Sequence, residues 1–139
     1  MSNTDENQAA VRACFERASR GDFDALAEVV APRYVLHPEE VQGVDGLREM
    51  VEGYRRALSG LRVTIDHQIA EGDYVATRFT IRGTHDGDLM GAAPTGREVA
   101  FTGITISRCE DGCIVEEWEL TDTMALLGQI GALPEMARG

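Results

Sequence analysis

Residues 61–85, which read LRVTIDHQIAEGDYVATRFTIRGTH, decide the fold class of this chain. From Leu61 to Ile69 every second residue is apolar apart from His67, and the alternation resumes after the Glu-Gly-Asp segment at 71–73. A period of two residues is typical of a β-strand with one buried face, whereas a helix repeats after 3.6 residues. The stretch therefore predicts two long strands that are joined by a tight turn.

The segments on either side complete the predicted order of elements. Upstream of Gly60 the apolar side chains recur at helical spacing, and beyond residue 96 the alternation of strands continues. The predicted elements are helices at 4–20, 23–30 and 45–58, an extended piece at 34–37, strands at 61–70, 74–85, 97–109 and 113–122, and a terminal helix at 124–130.

Helices followed by a long antiparallel meander define an α+β fold, in which the helices pack on one face of a curved sheet. A mainly antiparallel sheet that bends around helices forms a conical barrel with a mouth. The 139 residues suit one domain, and neither a linker nor an internal repeat divides them. We expect a single domain over residues 1–139.

The charge balance excludes several classes of function. The formal net charge is -11, whereas nucleic acids and anionic membrane surfaces are bound by basic patches. No run of about 18 apolar residues is present to cross a membrane, and the polar, acidic start does not resemble a signal peptide. The three cysteines, Cys14, Cys109 and Cys113, form no disulfide framework and favour a soluble, cytoplasmic protein.

Strand parity makes Asp122 the first candidate for catalysis. Counting back by twos from Asp122 gives Leu120, Trp118, Glu116 and Ile114, and the apolar members predict that this set faces inward. Asp122 would then be a carboxylate at the end of an apolar face, with a raised pKa that suits proton transfer near neutral pH. A β-bulge between Ile114 and Asp122 would reverse this placement.

A structural role for Asp122 is also open, and the pattern alone favours it over the catalytic one. Asp122 directly precedes the terminal helical segment, and aspartate is a preferred N-cap residue. The two interpretations are compatible, since one carboxylate can cap a helix and also face a pocket.

The histidines are further candidates. His85 shares a parity with Val75 and Phe79, so we expect it to face inward near the end of its strand. His67 falls on the apolar face of its strand, and His37 ends the short extended piece. The three histidines lie in separate segments without ligand spacing, which argues against a metal site. No nucleotide-binding motif is present either, so no cofactor is predicted.

The second half of the chain carries the motifs of a known family. The matching segments are Gly83-Thr84-His85-Asp86-Gly87, Gly91, Pro94-Thr95-Gly96-Arg97, Gly103-Ile104, Arg108, Asp111-Gly112, Ile114-Val115-Glu116, Trp118, Asp122 and Leu126-Leu127-Gly128-Gln129-Ile130-Gly131. In these the chain resembles the SnoaL-like polyketide cyclase (ester cyclase) family of the nuclear transport factor 2-like superfamily, over about residues 7–131. The resemblance implies a conical, cystatin-like α+β barrel that forms a homodimer.

The resemblance also implies an activity. Cyclases of this family close the last ring of aromatic polyketides by intramolecular aldol condensation, without metal or cofactor, and a single aspartate acts as acid and base. By its position after the tryptophan, Asp122 is similar to that aspartate. His85 and Trp118 are then expected beside the substrate, and we add His37, Tyr34 and Arg108 as candidate substrate contacts. The expected ligand is small and hydrophobic, with aromatic or polyketide-like character.

Other functions of the superfamily compete with cyclisation. An epoxide hydrolase would need an Asp-Arg-Asp arrangement, and the second carboxylate is absent from Arg78-Phe79-Thr80. A ketosteroid-isomerase-like enzyme would need a tyrosine, for which Tyr34 or Tyr54 qualifies, together with a second inward acid that parity does not supply. A hydroxylase, or a binding module without catalysis, remains as a further alternative.

Overall fold

The fold is described from a computed structural model over residues 3–133. Its helices are α1 (Asn3–Arg20), α2 (Phe23–Leu26), α3 (Gly43–Ala57) and α4 (Thr123–Gln129). Its strands are β1 (Val30–His37), β2 (Val41–Gln42), β3 (Leu58–Glu71), β4 (Tyr74–His85), β5 (Glu98–Glu110) and β6 (Cys113–Thr121). The long helices and the four long strands of the meander confirm the predicted order of elements.

The six strands form one mixed sheet in the order β2-β1-β6-β5-β4-β3. Strands β3 to β6 are the predicted antiparallel meander, whereas β1 runs parallel to β6. The sheet is curved but open, with β2 and β3 at its two ends. The α+β prediction is confirmed, as a cone whose sheet does not close on itself.

Helices α1 and α3 cover the concave face of the sheet. The core side chains of α1 are Val11 and Cys14, and those of α3 are Leu47 and Val51. The ring of Phe15 lies 5.0 Å from the ring of Phe79 on β4, so α1 packs directly against β4, the neighbour of the edge strand β3. Within residues 3–133 no helix is long and apolar enough to cross a membrane.

Strand β1 begins earlier than the sequence predicted. The short helix α2 ends at Leu26, and the chain is extended from Val30 onward. Pairing with β6 holds at Val30 and resumes only at Val35. Pro32 lies in the interval, and a proline cannot donate a ladder hydrogen bond. The prediction of a helix as far as residue 30, and of an extended piece only from residue 34, is therefore wrong: an irregular strand already begins at Val30.

A β-bulge in β6 reverses the predicted parity of that strand. Arg108 on β5 pairs with Glu116, but the next residue, Cys109, pairs with Ile114, so Val115 has no partner. Side chains alternate strictly between the two faces, and one inserted residue therefore moves all later side chains to the opposite face. Beyond Val115 the inward residues are the odd-numbered ones.

A second bulge, at Asp66 in β3, has the same effect. Ile65 pairs with Phe79, whereas His67 pairs with Arg78, which leaves Asp66 unpaired in the ladder. His67 is consequently exposed, so the prediction that it shares the apolar face is wrong. Asp66 accepts a hydrogen bond from Arg78 at 2.8 Å. The prediction that Arg78 lies outside the core and forms an ion pair within the sheet is therefore confirmed.

The close approach of Phe79 to Gly103 gives a test of the packing. A Cβ on Gly103 would lie 2.5 Å from Cζ of Phe79 and 3.0 Å from Cγ2 of Thr121. We expect Gly103→Ala to lower the free energy of unfolding by about 1–3 kcal/mol through overpacking. Gly53→Ala is the control, since nothing lies within 4 Å of its Cβ and alanine favours helix by ~1 kcal/mol. Urea unfolding of both variants tests the difference, and equal stability would contradict the packing described.

Candidate active site

A cavity of about 90 Å³ lies between the concave face of the sheet and helices α1 and α3. Its wall is mostly apolar. The larger apolar and aromatic side chains that line it are Phe15, Tyr34, Leu36, Leu47, Met50, Val51, Tyr54, Leu61, Val63, Phe79 and Ile81. Such a lining suits a small hydrophobic ligand, and polar groups on one side can fix its orientation.

The polar side of the cavity is the second half of β6. Glu117, Glu119 and Thr121 all line the cavity, because the bulge at Val115 turns the odd-numbered residues inward. On β5 the partner of Glu117 is Ser107, and the partner of Glu119 is Thr105. Each carboxylate therefore lies opposite a hydroxyl group on the neighbouring strand.

Glu117 is buried, with 6% of its surface exposed. Its Oε1 accepts a hydrogen bond from the Tyr34 hydroxyl at 2.6 Å, and its Oε2 accepts one from the Ser107 hydroxyl at 2.5 Å. Burial raises the pKa of Glu117 from 4.5 to about 7, although the two hydrogen bonds favour the charged form. The carboxyl group is therefore poised to gain or lose a proton near neutral pH.

Glu119 is the second carboxylate of the cavity. The Thr105 hydroxyl donates to its Oε1 at 2.8 Å, which leaves Oε2 available to a ligand. Burial raises the pKa of Glu119 above its ordinary value, the bond from Thr105 opposes the rise, and the charge of Glu39 adds to it. Glu119 thus has the free oxygen that Glu117 lacks.

No basic side chain compensates these two acids inside the cavity. Among the described residues that line it, none is arginine, lysine or histidine. An anionic ligand would meet two acidic groups in apolar surroundings without a counter-ion, which is costly. The cavity therefore favours neutral ligands over carboxylates and phosphates.

Asp122 lies outside this cavity, so its predicted position in the apolar pocket is wrong. The physical reason is the bulge at Val115, which turns the even-numbered residues of β6 away from the core. Asp122 is exposed, and its Oδ1 accepts a hydrogen bond from the backbone N–H of Ala125 at 3.0 Å. The predicted N-cap role is confirmed, because Asp122 is the N-cap of α4.

Three of the predicted site residues meet on the outer face of the sheet instead. Asp122, Trp118 and His37 line an open concavity of about 670 Å³. Trp118 is 39% exposed, so its predicted inward position is also wrong. His37 stacks on Trp118 with ring centroids 5.6 Å apart and bonds Glu116 through Nε2 at 2.8 Å. That hydrogen bond raises the pKa of His37.

The remaining candidates are spread through the fold. Tyr34 lines the cavity. His85 is fully buried, which confirms that it faces inward, but its Nδ1 contacts the Thr95 hydroxyl at 3.0 Å and it does not line the cavity. Arg108 forms an ion pair with Glu116 at 3.2 Å. Direct contact of His85, His37, Trp118 or Arg108 with a substrate stays a prediction.

Strand parity alone does not find the acids of the cavity, because the bulge in β6 inverts that parity. The statement that no second inward acid is available is wrong, since both Glu117 and Glu119 line the cavity. A signal was present in Thr105 and Ser107, two hydroxyl side chains on the otherwise apolar inward face of β5. Polar side chains at core positions need partners, and these two predict acids opposite them.

No metal centre is evident among residues 3–133, where no group of three histidine, cysteine, aspartate or glutamate side chains could hold an ion. The absence of a cofactor stays a prediction from the sequence. The structure therefore defines a class of protein: an open α+β cone that encloses a small apolar cavity with two carboxyl groups.

Comparison with known proteins places the chain within this class. The profile of the SnoaL-like polyketide cyclases matches residues 8–130, so the chain belongs to that family. A curated relative, the aklanonic acid methyl ester cyclase AcmA of Streptomyces galilaeus, is 28% identical over 131 residues, which cover 91% of each chain.

Solved structures agree with the family assignment. TsrD of Streptomyces laurentii superposes with a TM-score of 0.85 at 27% identity, covering 92% of this chain and 96% of its own. AclR of S. galilaeus, described as a candidate hydroxylase, superposes with a TM-score of 0.83 at 28% identity, and the match covers 95% of this chain and 89% of AclR. IdmH of Streptomyces antibioticus, described as a candidate polyketide cyclase, superposes with a TM-score of 0.79 at 31% identity, and the match covers 90% of this chain and 98% of IdmH.

The burial of Glu117 predicts a pH-dependent stability. Its pKa is about 7 in the folded protein against an ordinary value of 4.5, so its proton stabilises the fold. This contribution is fully present below pH ~4.5 and is lost as the pH rises through ~7, with a magnitude on the order of 3 kcal/mol. Glu117→Gln is neutral at every pH, so it should be close to wild type in stability at pH 5 and more stable than wild type at pH 8.

Urea unfolding at the two pH values measures this difference. Glu98→Gln, on the exposed start of β5, controls for the loss of one negative charge. A free-energy difference between wild type and Glu117→Gln that stays constant with pH would mean that Glu117 is not buried as described.

Proposed function

We propose that the cavity is the reaction site of a polyketide cyclase that works by acid/base catalysis without a cofactor. The observation that carries the proposal is the pair of carboxyl groups on one wall of an apolar cavity without a basic side chain: Glu117, which is buried, and Glu119, which is half-buried. Family membership supports cyclisation as the chemistry. AclR, described as a candidate hydroxylase, has a similar structure, so the fold alone does not define the reaction.

The position of Glu119 favours it as the acid/base residue. Its Oε1 is held by Thr105, so the carboxylate is fixed while Oε2 can reach a ligand. Both oxygens of Glu117 are already engaged by hydroxyl groups. Asp122, to which the sequence assigned this role, is exposed and caps α4. Its catalytic role stays a prediction, and experiment can separate it from Glu119.

The chemistry would follow from the substrate class. In a conjugated keto ester, Glu119 removes a proton from the carbon next to the carbonyl group, and conjugation delocalises the electron pair as an enolate. The enolate carbon attacks an aldehyde or ketone of the same molecule and forms the ring. The protonated Glu119 then gives its proton to the new alkoxide, so that the enzyme returns to its starting state. A neutral ester suits a cavity with no cation better than the free acid does.

A comparison of two isosteric variants tests the assignment. We expect Glu119→Gln to lower the rate of ring closure by at least about 100-fold, because an amide cannot exchange a proton with the substrate. Asp122→Asn should retain most of the activity, since an asparagine caps a helix as well as aspartate does. Ring closure of a panel of conjugated keto esters, followed by mass spectrometry and absorbance, provides the measurement.

The opposite pattern, with Asp122→Asn inactive and Glu119→Gln active, would return the catalytic role to Asp122. Equal turnover of the keto esters by wild type and both variants would exclude acid/base catalysis by Glu119 or Asp122 on these substrates. Thermal unfolding of each variant ensures that a loss of turnover reflects chemistry and not loss of the fold.

A binding protein without catalysis is the second candidate. The observation that favours it is Asp122, whose carboxylate is used as a helix cap and not for chemistry. In that case the keto esters would bind to wild type with measurable heat, remain chemically unchanged, and bind equally well to Glu119→Gln.

We infer that the outer face of the sheet joins two copies of the chain. This face carries apolar side chains that are unusually exposed for a monomer. They are Ile69, Tyr74, Ile104, Ile106, Trp118 and Leu120. The register places Ile104 opposite Leu120 and Ile106 opposite Trp118, so the apolar side chains form one continuous surface. A two-fold axis would place this surface against its own copy.

The free cysteines Cys14, Cys109 and Cys113 support the cytoplasmic location inferred from the sequence.

The dimer is tested by placing a charge on this face. Leu120 is 77% exposed, so Leu120→Glu leaves the protomer intact but buries a carboxylate in the interface. We expect light scattering to give the mass of a dimer for wild type and that of a monomer for Leu120→Glu. Met90→Glu, at a methionine 59% exposed on a loop, is the matched control. A monomeric wild type would exclude the proposed interface.

A further inference from the structure

The Tyr34–Glu117 pair is the part of the cavity that the proposed reaction leaves without a role. The Tyr34 side chain is 1% exposed and Glu117 is 6% exposed, yet both line the cavity. Their oxygens are 2.6 Å apart, and Ser107 closes the network on the side of β5. A buried acid in contact with a phenol is costly unless it is fully hydrogen-bonded, and this one is.

The spacing on β6 separates this pair from Glu119. Glu117 and Glu119 are two residues apart on one strand, so their Cα atoms are separated by about 6.5 Å along the same face. A carbonyl group and its neighbouring carbon fit into such an interval. The carbonyl oxygen would lie towards Tyr34 and Glu117, and the acidic C–H group would lie towards Oε2 of Glu119.

The direction of the hydrogen bonds depends on the proton of Glu117. When Glu117 is ionised, the Tyr34 hydroxyl donates to it and has no proton left for a ligand. When Glu117 is protonated, its carboxyl group donates to the Tyr34 oxygen, and the Tyr34 hydroxyl is free to donate to a ligand. Burial favours the protonated form, and it raises the pKa of Glu117 to about 7. A neutral carboxyl group that supports a hydrogen bond to an enolate is an established way to lower the barrier to its formation.

We propose that Tyr34 and protonated Glu117 form an oxyanion site facing Glu119, and that the cavity therefore isomerises compact β,γ-unsaturated ketones to their conjugated isomers. This second activity rests on the proposed function, since it uses Glu119 of the same cavity as the base. The isomerisation needs only one substrate molecule and no cofactor, and the substrate needs no second carbonyl group for a ring closure.

The reaction balances within the substrate and Glu119. The carboxylate of Glu119 takes a proton from the α-carbon, the C–H electron pair passes into the carbonyl π system, and a dienolate forms. Its oxygen accepts a hydrogen bond from Tyr34 while Glu117 donates to Tyr34. Glu119 then returns the same proton to the γ-carbon, the electrons regenerate the carbonyl group, and the double bond becomes conjugated with it.

The size and charge of the cavity define the probe. About 90 Å³ of apolar space without a basic side chain suits a neutral molecule of one ring. Cyclohex-3-en-1-one meets these conditions, and its conjugated isomer is detected by ultraviolet absorbance. We expect wild type to accelerate the conversion above the buffer rate, and we expect Glu119→Gln to abolish the acceleration.

The three tyrosines of the chain provide matched variants. Tyr34→Phe removes the donor to the oxyanion and should lower the isomerisation rate by about 100-fold. Tyr54 also lines the cavity but is not hydrogen-bonded to Glu117, so Tyr54→Phe should lower the isomerisation rate much less. Tyr74, on the outer face, is 46% exposed, and Tyr74→Phe should have the rate of wild type. Thermal unfolding checks that each variant is folded.

An equilibrium probe tests the oxyanion site without turnover. 4-Nitrophenol mimics the dienolate, and its absorbance reports whether it is bound as phenol or phenolate. The background for this measurement is Glu119→Gln, which is neutral like the protonated base. Adding Tyr34→Phe to that background should weaken binding by at least about tenfold, whereas adding Tyr74→Phe should leave it unchanged.

The outcomes separate the two proposals. Turnover of keto esters that depends on Glu119, without isomerisation of the cyclohexenone by wild type, would overturn the isomerase proposal and leave the cyclase proposal standing. Isomerisation that depends on both Glu119 and Tyr34, without turnover of keto esters, would support the isomerase and overturn the cyclase. Binding of 4-nitrophenol that is unaffected by Tyr34→Phe would overturn the oxyanion site even if that variant lost isomerase activity.

Discussion

The interior of this protein depends on one unpaired residue in β6. Strand side chains alternate strictly, so the extra residue at Val115 decides which half of the following sequence is buried. Without it, Trp118 would lie in the core and Glu117 would lie in solvent. With it, the tryptophan lies on the outer face, and the two glutamates project into the space below α1 and α3. The chemical character of the cavity is thus a consequence of strand register.

The two acids of the cavity are tolerated because the neighbouring strands place hydroxyl groups opposite them. Ser107 and Thr105 on β5 and Tyr34 on β1 each place an oxygen within 2.8 Å of a carboxylate oxygen. Hydrogen bonds of this kind offset part of the desolvation cost and hold the acids in one orientation. They do not cancel it, and the pKa values of both glutamates remain raised. Groups with such shifts in an enclosed cavity are typical of catalytic sites, although structural networks also produce them.

The second bulge, at Asp66, has a parallel effect on the opposite side of the sheet. It turns His67 and Ile69 outward while Leu61 and Val63 remain on the cavity wall. Together the two bulges give the sheet two apolar surfaces with different uses. The concave one encloses the cavity below the helices, and the convex one is exposed along β3 to β6. Helices α1 and α3 cover the concave surface around the cavity, whereas the convex surface is exposed, and this exposure is the physical basis for proposing a second copy.

The sequence by itself determined the α+β class, the order of the long helices and strands, the family and the cap at Asp122. These features depend on local periodicity, turn chemistry and short motifs, which act over a few residues. Only the tertiary structure decided which face of β6 is buried, and therefore that Glu117 and Glu119 line the cavity while Asp122 and Trp118 lie outside it. Local pattern could not settle this, because both faces of the strand carry apolar and acidic residues, and the bulge is defined only by pairing with β5. The reach of Tyr34 to Glu117 across 83 positions of sequence is likewise a product of the fold.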